Sequence, residues 1–390
     1  MRSRISVVAI RAAGLLGLFL FFPSLVFSQS DSASRPWWYT MEKGKLLFRS
    51  GEYGDALLAF EDSRRQRRER YAALERQFVA FLARPEIRRL GDSLERLETW
   101  IAERNETAAA EVLGELYYRY PGDALDDSAA RALYQLDRLK EYPEAEYWIG
   151  EIYRVEGELS LALIQYRKAL EGRDILENPG FAVDLLYKIA GIRRVRQEYV
   201  EMENTLNGIL EGIDAATGRP RDALWAEESS FAKNAMRRTL ENEGIGRFLV
   251  LYRYNNTLTE PAHRLLGFFY YASGRYNPGS ALDHLMFAFL IQNTVILEEA
   301  LRDRYDFTFA GLDDLMNRMA RNRLVSAYIE ETEYYKTAYY LANVLYGEGK
   351  LAQARGVWEF IAGRDDAGEW QSRARRQLRS PVQERTVEMP

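Results

Sequence analysis

Apolar residues recur at spacings of three and four almost throughout residues 37–378, while the strict alternation of a half-buried strand is hard to find. This periodicity predicts an all-α chain of about fifteen helices joined by short turns, with no strands. Pro85, Pro121, Pro143, Pro179 and Pro261 fall between the periodic stretches, where a residue that cannot continue a helix ends one or opens the next. Gly368–Leu378 reads as a polar closing helix. Residues 379–390 lose all periodicity, which predicts a disordered tail.

The periodic stretches also repeat. With Pro143 as position 1, Ile149 and Gly150 take positions 7 and 8, Tyr153 position 11 and Gly157 position 15, while Ala162, Tyr166 and Ala169 take 20, 24 and 27. A copy starting at Trp37 supplies Gly44, Gly51, Tyr53, Ala56 and Phe60 in the same frame. A third, from Glu260, supplies Leu266, Gly267, Tyr270, Gly274 and Tyr276; Asn277, Pro278 and Gly279 then lengthen its turn, so Ala281, Leu285 and Ala288 arrive two residues late. A fourth, from Tyr335, supplies Leu341, Ala342, Gly349, Ala354 and Trp358, and looser copies start near Thr107 and Val183.

Small residues at positions 8 and 20 let two helices approach, aromatic residues at 11 and 24 fill the space between units, and glycine at 15 permits the turn. This set of residues resembles the tetratricopeptide repeat, a helix–turn–helix unit of about 34 residues. The resemblance is clear at 37–70, 143–176, 260–292 and 335–367 and degenerate between them. It implies a right-handed superhelical solenoid over 37–378 with a concave groove, and it carries no reaction, because the motif residues are packing residues. The register sets Gly150 against a neighbouring helix and Glu151, at position 9, toward groove or solvent.

The start of the chain changes the picture of its compartment. Arg2, Arg4 and Arg11 precede an apolar run from Ala12 to Phe27, and Val26 and Ser28 are small enough for a cleavage site. That order predicts a secretory signal over 1–28, a polar leader over 29–36 and a mature chain beginning at Gln29. The run is shorter than the roughly 20 residues that span a bilayer, and no second run of that length follows, so the mature chain is expected to be soluble, without a transmembrane segment. Cysteine is absent, which removes disulfides and lipid attachment and favours a periplasmic over a eukaryotic secretory setting, periplasm or secreted being the expected location.

Loss of the three arginines takes the formal charge from −5 to −8, so nothing draws the protein to nucleic acid. No cofactor fingerprint or phosphate loop is present, and His263 and His284 lack ligand-spaced neighbours, so neither cofactor nor metal is expected. Glu228-Ser229-Ser230-Phe231 with Ala235 is similar to the catalytic stretch of lytic transglycosylases, in which the Glu is the acid, and Tyr276-Asn277-Pro278-Gly279 echoes a downstream element. The glycine-rich Met-Gln stretch that should follow is missing, so the chain is not expected to be an enzyme; a cell-wall glycan-handling role through Glu228 is the alternative.

Aromatic content points to binding instead: Tyr occurs 25 times, more than the packing positions use. In the tetratricopeptide family, positions 2, 5, 9 and 12 face the concave groove. Here the resemblance places Tyr147, Tyr187, Arg264 and Tyr339 at position 5, and Arg154, Arg194, Tyr271 and Tyr346 at position 12. Phe268 and Asn343 fall at position 9 and Lys336 at position 2. A Tyr- and Arg-lined groove suits a protein or peptide segment of the cell envelope. Self-association is a further possibility. The expected function is that of an exported, protein-binding scaffold.

Overall fold

A computed structural model describes residues 36–82, 140–212 and 230–384, apart from 179, 277, 278 and 304, together with residue 387. The expected signal and leader, the copy near Thr107 and Glu228 lie outside the described residues. The described residues hold fourteen α-helices, two single 3₁₀ turns and no strand. In chain order the helices are α1 (Trp37–Ser50), α2 (Tyr53–Leu82), α3 (Pro143–Val155), α4 (Leu159–Glu171), α5 (Gly180–Val195), α6 (Tyr199–Glu211) and α7 (Ser230–Leu251). They continue as α8 (Glu260–Ala272), α9 (Ala281–Asp303), α10 (Leu312–Met319), α11 (Arg323–Glu331), α12 (Tyr334–Gly347), α13 (Leu351–Ala362) and α14 (Glu369–Arg379). Neighbours pack as pairs, α1 with α2, α3 with α4, α5 with α6, α8 with α9 and α12 with α13.

The close approach within a pair follows from the small residue at position 8. A Cβ on Gly44 would lie 2.5 Å from the Phe60 ring, one on Gly150 2.6 Å from Tyr166, and one on Gly267 2.7 Å from Leu285. In the fourth unit Ala342 faces the same role, and both it and Trp358 are fully buried. Position 15 turns the chain through left-handed backbone: Gly51, Gly157, Gly274 and Gly349 have φ between 71° and 85°, and in the looser copy Gln197 takes φ 60°. Gly150→Leu is therefore expected to cost about 1–3 kcal/mol or more, because the fully buried Tyr166 ring has nowhere to retreat. A thermal melt that Gly150→Leu leaves unmoved would show that the helices of this pair do not touch there.

Glu151 departs from expectation. It is buried rather than groove-facing, because α5 stacks against α4 and brings Lys188 to 3.0 Å from its carboxylate. Arg154 lies 2.9 Å away, and the Tyr166 hydroxyl donates to the same carboxylate. Burial pulls its pKa upward, but the bonds from Arg154, Lys188 and Tyr166 outweigh burial and hold it below the usual 4.5. A depressed folded pKa gives stability that is present above the unfolded value and lost as pH falls through the folded one. Between about pH 7 and pH 3, the melting temperature of Glu151→Gln should start lower and fall less steeply than that of the unaltered chain. Parallel profiles would rule the carboxylate out of the acid response.

The C-terminal half shares one apolar core, running from Ala190 to Ala374. Its centre is α9, buried on all sides from Ala281 to Thr294, a stretch that encloses Asp283, His284 and Gln292 among its apolar side chains. This helix is long and apolar enough to cross a membrane, and 89% of its most apolar stretch is buried inside the protein. Helix α7, kinked at Gly244, packs back onto both α9 and α13, so this core is not built from chain neighbours alone. Two smaller cores serve the units before it, one around Tyr166 and Leu185 and the other around Phe60 and Ile149. His263 and His284 meet in the large core with their Nδ1 atoms 3.2 Å apart, and burial followed by the His263 charge holds His284 well below its ordinary pKa.

Candidate functional site

The residues expected to line the groove separate into two sets. In α3 and α5 the two tyrosines serve packing between pairs. Tyr147 is buried, donates from its hydroxyl to Asp184 at 2.9 Å, and packs its ring on Trp148, Tyr166 and Phe181. The stacking of α5 beyond α3 thus converts this position from an open face into an interface, a correction to the groove expectation. Tyr187 is half-buried and reaches across to α8, donating to the Leu258 carbonyl at 2.6 Å and accepting from the Ala262 amide. Arg154 is exposed but held by Glu151, and Arg194 is half-buried on α5.

The second set comes together between α8, α12 and α14. At one end, Arg264 bonds Glu260 at 3.0 Å and Glu333 at 2.7 Å, and Lys336 bonds Glu333 at 2.8 Å while its ammonium lies 5.0 Å from the Phe268 ring. Gln292 donates to Glu260 from α9. Glu260 is fully enclosed, and burial raises its pKa despite the adjacent Arg264. Two carboxylates thus neutralise the two cations, so the basic character expected of Arg264 and Lys336 is spent within the fold.

Further along, a segment that is neither helix nor strand lies over the aromatic floor. Residues 381–384, expected to belong to a free tail, follow α14 back across α12. The Tyr271 hydroxyl donates to the Glu384 carbonyl at 2.5 Å, and Tyr346 donates to the Pro381 carbonyl at 3.3 Å. Gln377 uses its side-chain amide as a backbone would, donating to the Val382 carbonyl at 3.0 Å and accepting from the Val382 amide at 2.8 Å. The Glu384 carboxylate is gripped by the Tyr339 hydroxyl at 2.5 Å and the Arg373 guanidinium at 2.6 Å. Arg373 in turn lies over the rings of Trp370, Tyr339 and Tyr340, at 4.6, 5.1 and 5.9 Å.

Burial first, and then the adjoining Glu384, push the Tyr339 hydroxyl up to about 12, so it remains a proton donor throughout the neutral range. Asn343 is fully buried beside the Tyr271 and Tyr339 hydroxyls, yet neither of its amide atoms completes a hydrogen bond of ordinary geometry. Gly347 leaves room for Gln383, whose Oε1 would lie 2.7 Å from an added Cβ. Beside the segment, Lys336, Arg364, Asp366 and Trp370 border an open cleft of about 850 Å³.

Phe268, Tyr271, Lys336, Tyr339, Asn343 and Tyr346 are thus brought together, and Arg264 adjoins them. The sequence reading missed Trp370, Arg373, Gln377 and Glu384. Trp370, Arg373 and Gln377 are spaced to share one face of α14, a signal that a helix read only as a polar cap did not disclose. The transglycosylase-like stretch fares differently: Phe231 is 85% exposed in the first turn of α7. Among the described residues no group of three His, Asp or Glu side chains is placed to hold a metal ion.

No family model matches the chain. It is similar to an uncharacterized protein of Treponema pallidum (strain Nichols), 26% identical over 369 residues that cover 93% of this chain and 96% of that one. It is also similar to an uncharacterized protein of Borreliella burgdorferi (strain ATCC 35210 / DSM 4680 / CIP 102532 / B31), 22% identical over 57% of this chain and 69% of the other.

Proposed function

We propose that this chain is an exported protein-binding scaffold of the tetratricopeptide type, holding an extended segment of an envelope protein between α8, α12 and α14. The observation that carries this reading is the groove's present content: a non-helical stretch of chain held by its carbonyls and by one carboxylate. Helix pairs closed by position-8 contacts, with α4 packed on α5, support a right-handed superhelical solenoid, whose concave side suits such a ligand. The arginine-led apolar start and the lack of cysteine support a periplasmic or secreted location. Binding of this kind calls on no catalytic residue and no cofactor.

A photo-crosslinking amino acid at Tyr346, on the rim of the groove, tests the proposal in intact cells of the source organism. A partner adduct that maps to one segment of an envelope protein is expected from Tyr346 and not from the exposed Arg355 on α13. Adducts of equal yield from both positions, or none from Tyr346, would remove the groove from the binding account. Should purified chain clear cell-wall suspensions, and Glu228→Gln abolish that clearing, the glycan-handling alternative would replace it.

A further inference from the structure

We infer that the segment over α12 is a cis stand-in for the partner, and that the groove selects an extended protein segment bearing a carboxylate side chain at the place of Glu384. This deepens the scaffold reading and rests on it. The contacts divide into two kinds. Tyr271, Tyr346 and Gln377 read only main-chain atoms, which any extended segment supplies. Tyr339 and Arg373 read a carboxylate, which only an acidic side chain supplies. Charge-assisted bonds of that second kind are the stronger and the more selective.

A segment present merely to seal a core would bury apolar side chains. Val382 is instead 54% exposed, and Pro381 and Gln383 are only half-buried. Among the described residues of this stretch, Val387 alone packs against the large core, and only partly. Arg373 is seated among the rings of Trp370, Tyr339 and Tyr340, which belong to α14 and α12 and not to the segment. Asn343 supplies a second, independent observation. Its fully buried amide lies beside the Tyr271 and Tyr339 hydroxyls that hold Glu384, so the floor of the groove gathers polar groups at the place where the carboxylate sits.

Only Ser380 separates α14 from Pro381, so the cis segment acts at an effective concentration of about millimolar. A partner must outcompete it, which keeps the groove closed to weak and non-acidic segments.

The test uses a fluorescent peptide with the sequence of residues 380–387 and reads its anisotropy against three proteins: the full mature chain, a chain ending at Arg379, and full-length Glu384→Lys. The shortened chain and Glu384→Lys are expected to bind the peptide at least about tenfold more tightly than the full chain, whose own segment competes. Replacing Glu384 by Gln in the peptide should weaken binding by a further factor of about ten. If the shortened chain loses its helical circular dichroism, the full-length Glu384→Lys protein decides alone with the same peptide. Failure of folded Glu384→Lys to bind the peptide overturns the inference, as does a full-length dimer that Glu384→Lys dissociates, since the segment would then serve a second copy. A failed peptide titration leaves the Tyr346 crosslink free to succeed, and a failed crosslink leaves the titration intact, so the two readings fall separately.

Discussion

Arg264→Met is expected to lower stability by about 3–5 kcal/mol at neutral pH, the largest effect of any single charge removal in the C-terminal core. The reason is what remains behind. Glu260 is fully enclosed and, among the described residues, would keep Gln292 as its hydrogen-bonding side chain, while Glu333 would retain Lys336. Burial raises the pKa of Glu260 even with Arg264 in place, so its removal raises that pKa further. A carboxyl with a raised folded pKa disfavours the fold as pH rises through that value and ceases to do so below the unfolded one. The gap between Arg264→Met and the unaltered chain should therefore narrow as pH falls toward about 4. Adding Glu260→Gln should restore part of the loss at neutral pH, because no buried charge is then stranded. Denaturant unfolding at two pH values checks both statements, and a pH-independent gap would contradict the stranded-charge explanation.

Tyr147→Ala is expected to cost about 3–5 kcal/mol, the usual range for removing a buried aromatic ring. Its ring touches those of Trp148, Tyr166 and Phe181, and Lys188 lies 5.5 Å from its centroid. Tyr147→Phe keeps the ring and loses only the bond to Asp184, so about 1–2 kcal/mol is expected. Because Tyr147 sits in a core separate from the large C-terminal one, this loss should appear as early melting around α3 and α4. The Tyr346 crosslink should persist at temperatures above that early step. An unchanged melt for Tyr147→Ala would return Tyr147 to the open face of the groove.

These two residues show where a one-dimensional register stops being informative. Position 8 was legible because its requirement is local: Gly44, Gly150 and Gly267 each meet a side chain from the partner helix of their own pair. Position 15 was legible because left-handed backbone favours glycine, whatever surrounds it. Position 5 depends on what stacks next. Tyr147 is covered because the following pair brings Asp184 and Lys188, whereas Tyr339 meets Glu384 from a segment 45 residues further along. Nothing in the spacing of α12 announces that segment.

Charge was still harder to read. Arg264 and Lys336 counted as basic groove residues, but Glu260 and Glu333 consume them, and Glu333 reaches both from its left-handed position just before α12. The cation that grips the segment's carboxylate, Arg373, sits in a helix whose composition suggested only a solvated cap. The return of α7 onto α13 was equally hidden, because it pairs helices more than a hundred residues apart. Repeat periodicity reports contacts between neighbours and is silent about such closures.

Hydrogen exchange at the Val382 amide tests the central claim most directly. In the groove this amide donates to the Gln377 side chain, and Glu384 anchors the segment two residues on. The full mature chain is expected to exchange Val382 at least about tenfold more slowly than a free peptide of the same sequence, with protection lost in Gln377→Ala. Addition of the segment identified by the Tyr346 crosslink should remove the protection as well. Exchange of Val382 at the free-peptide rate in the unaltered chain would contradict the account, because the groove would then hold no segment to displace.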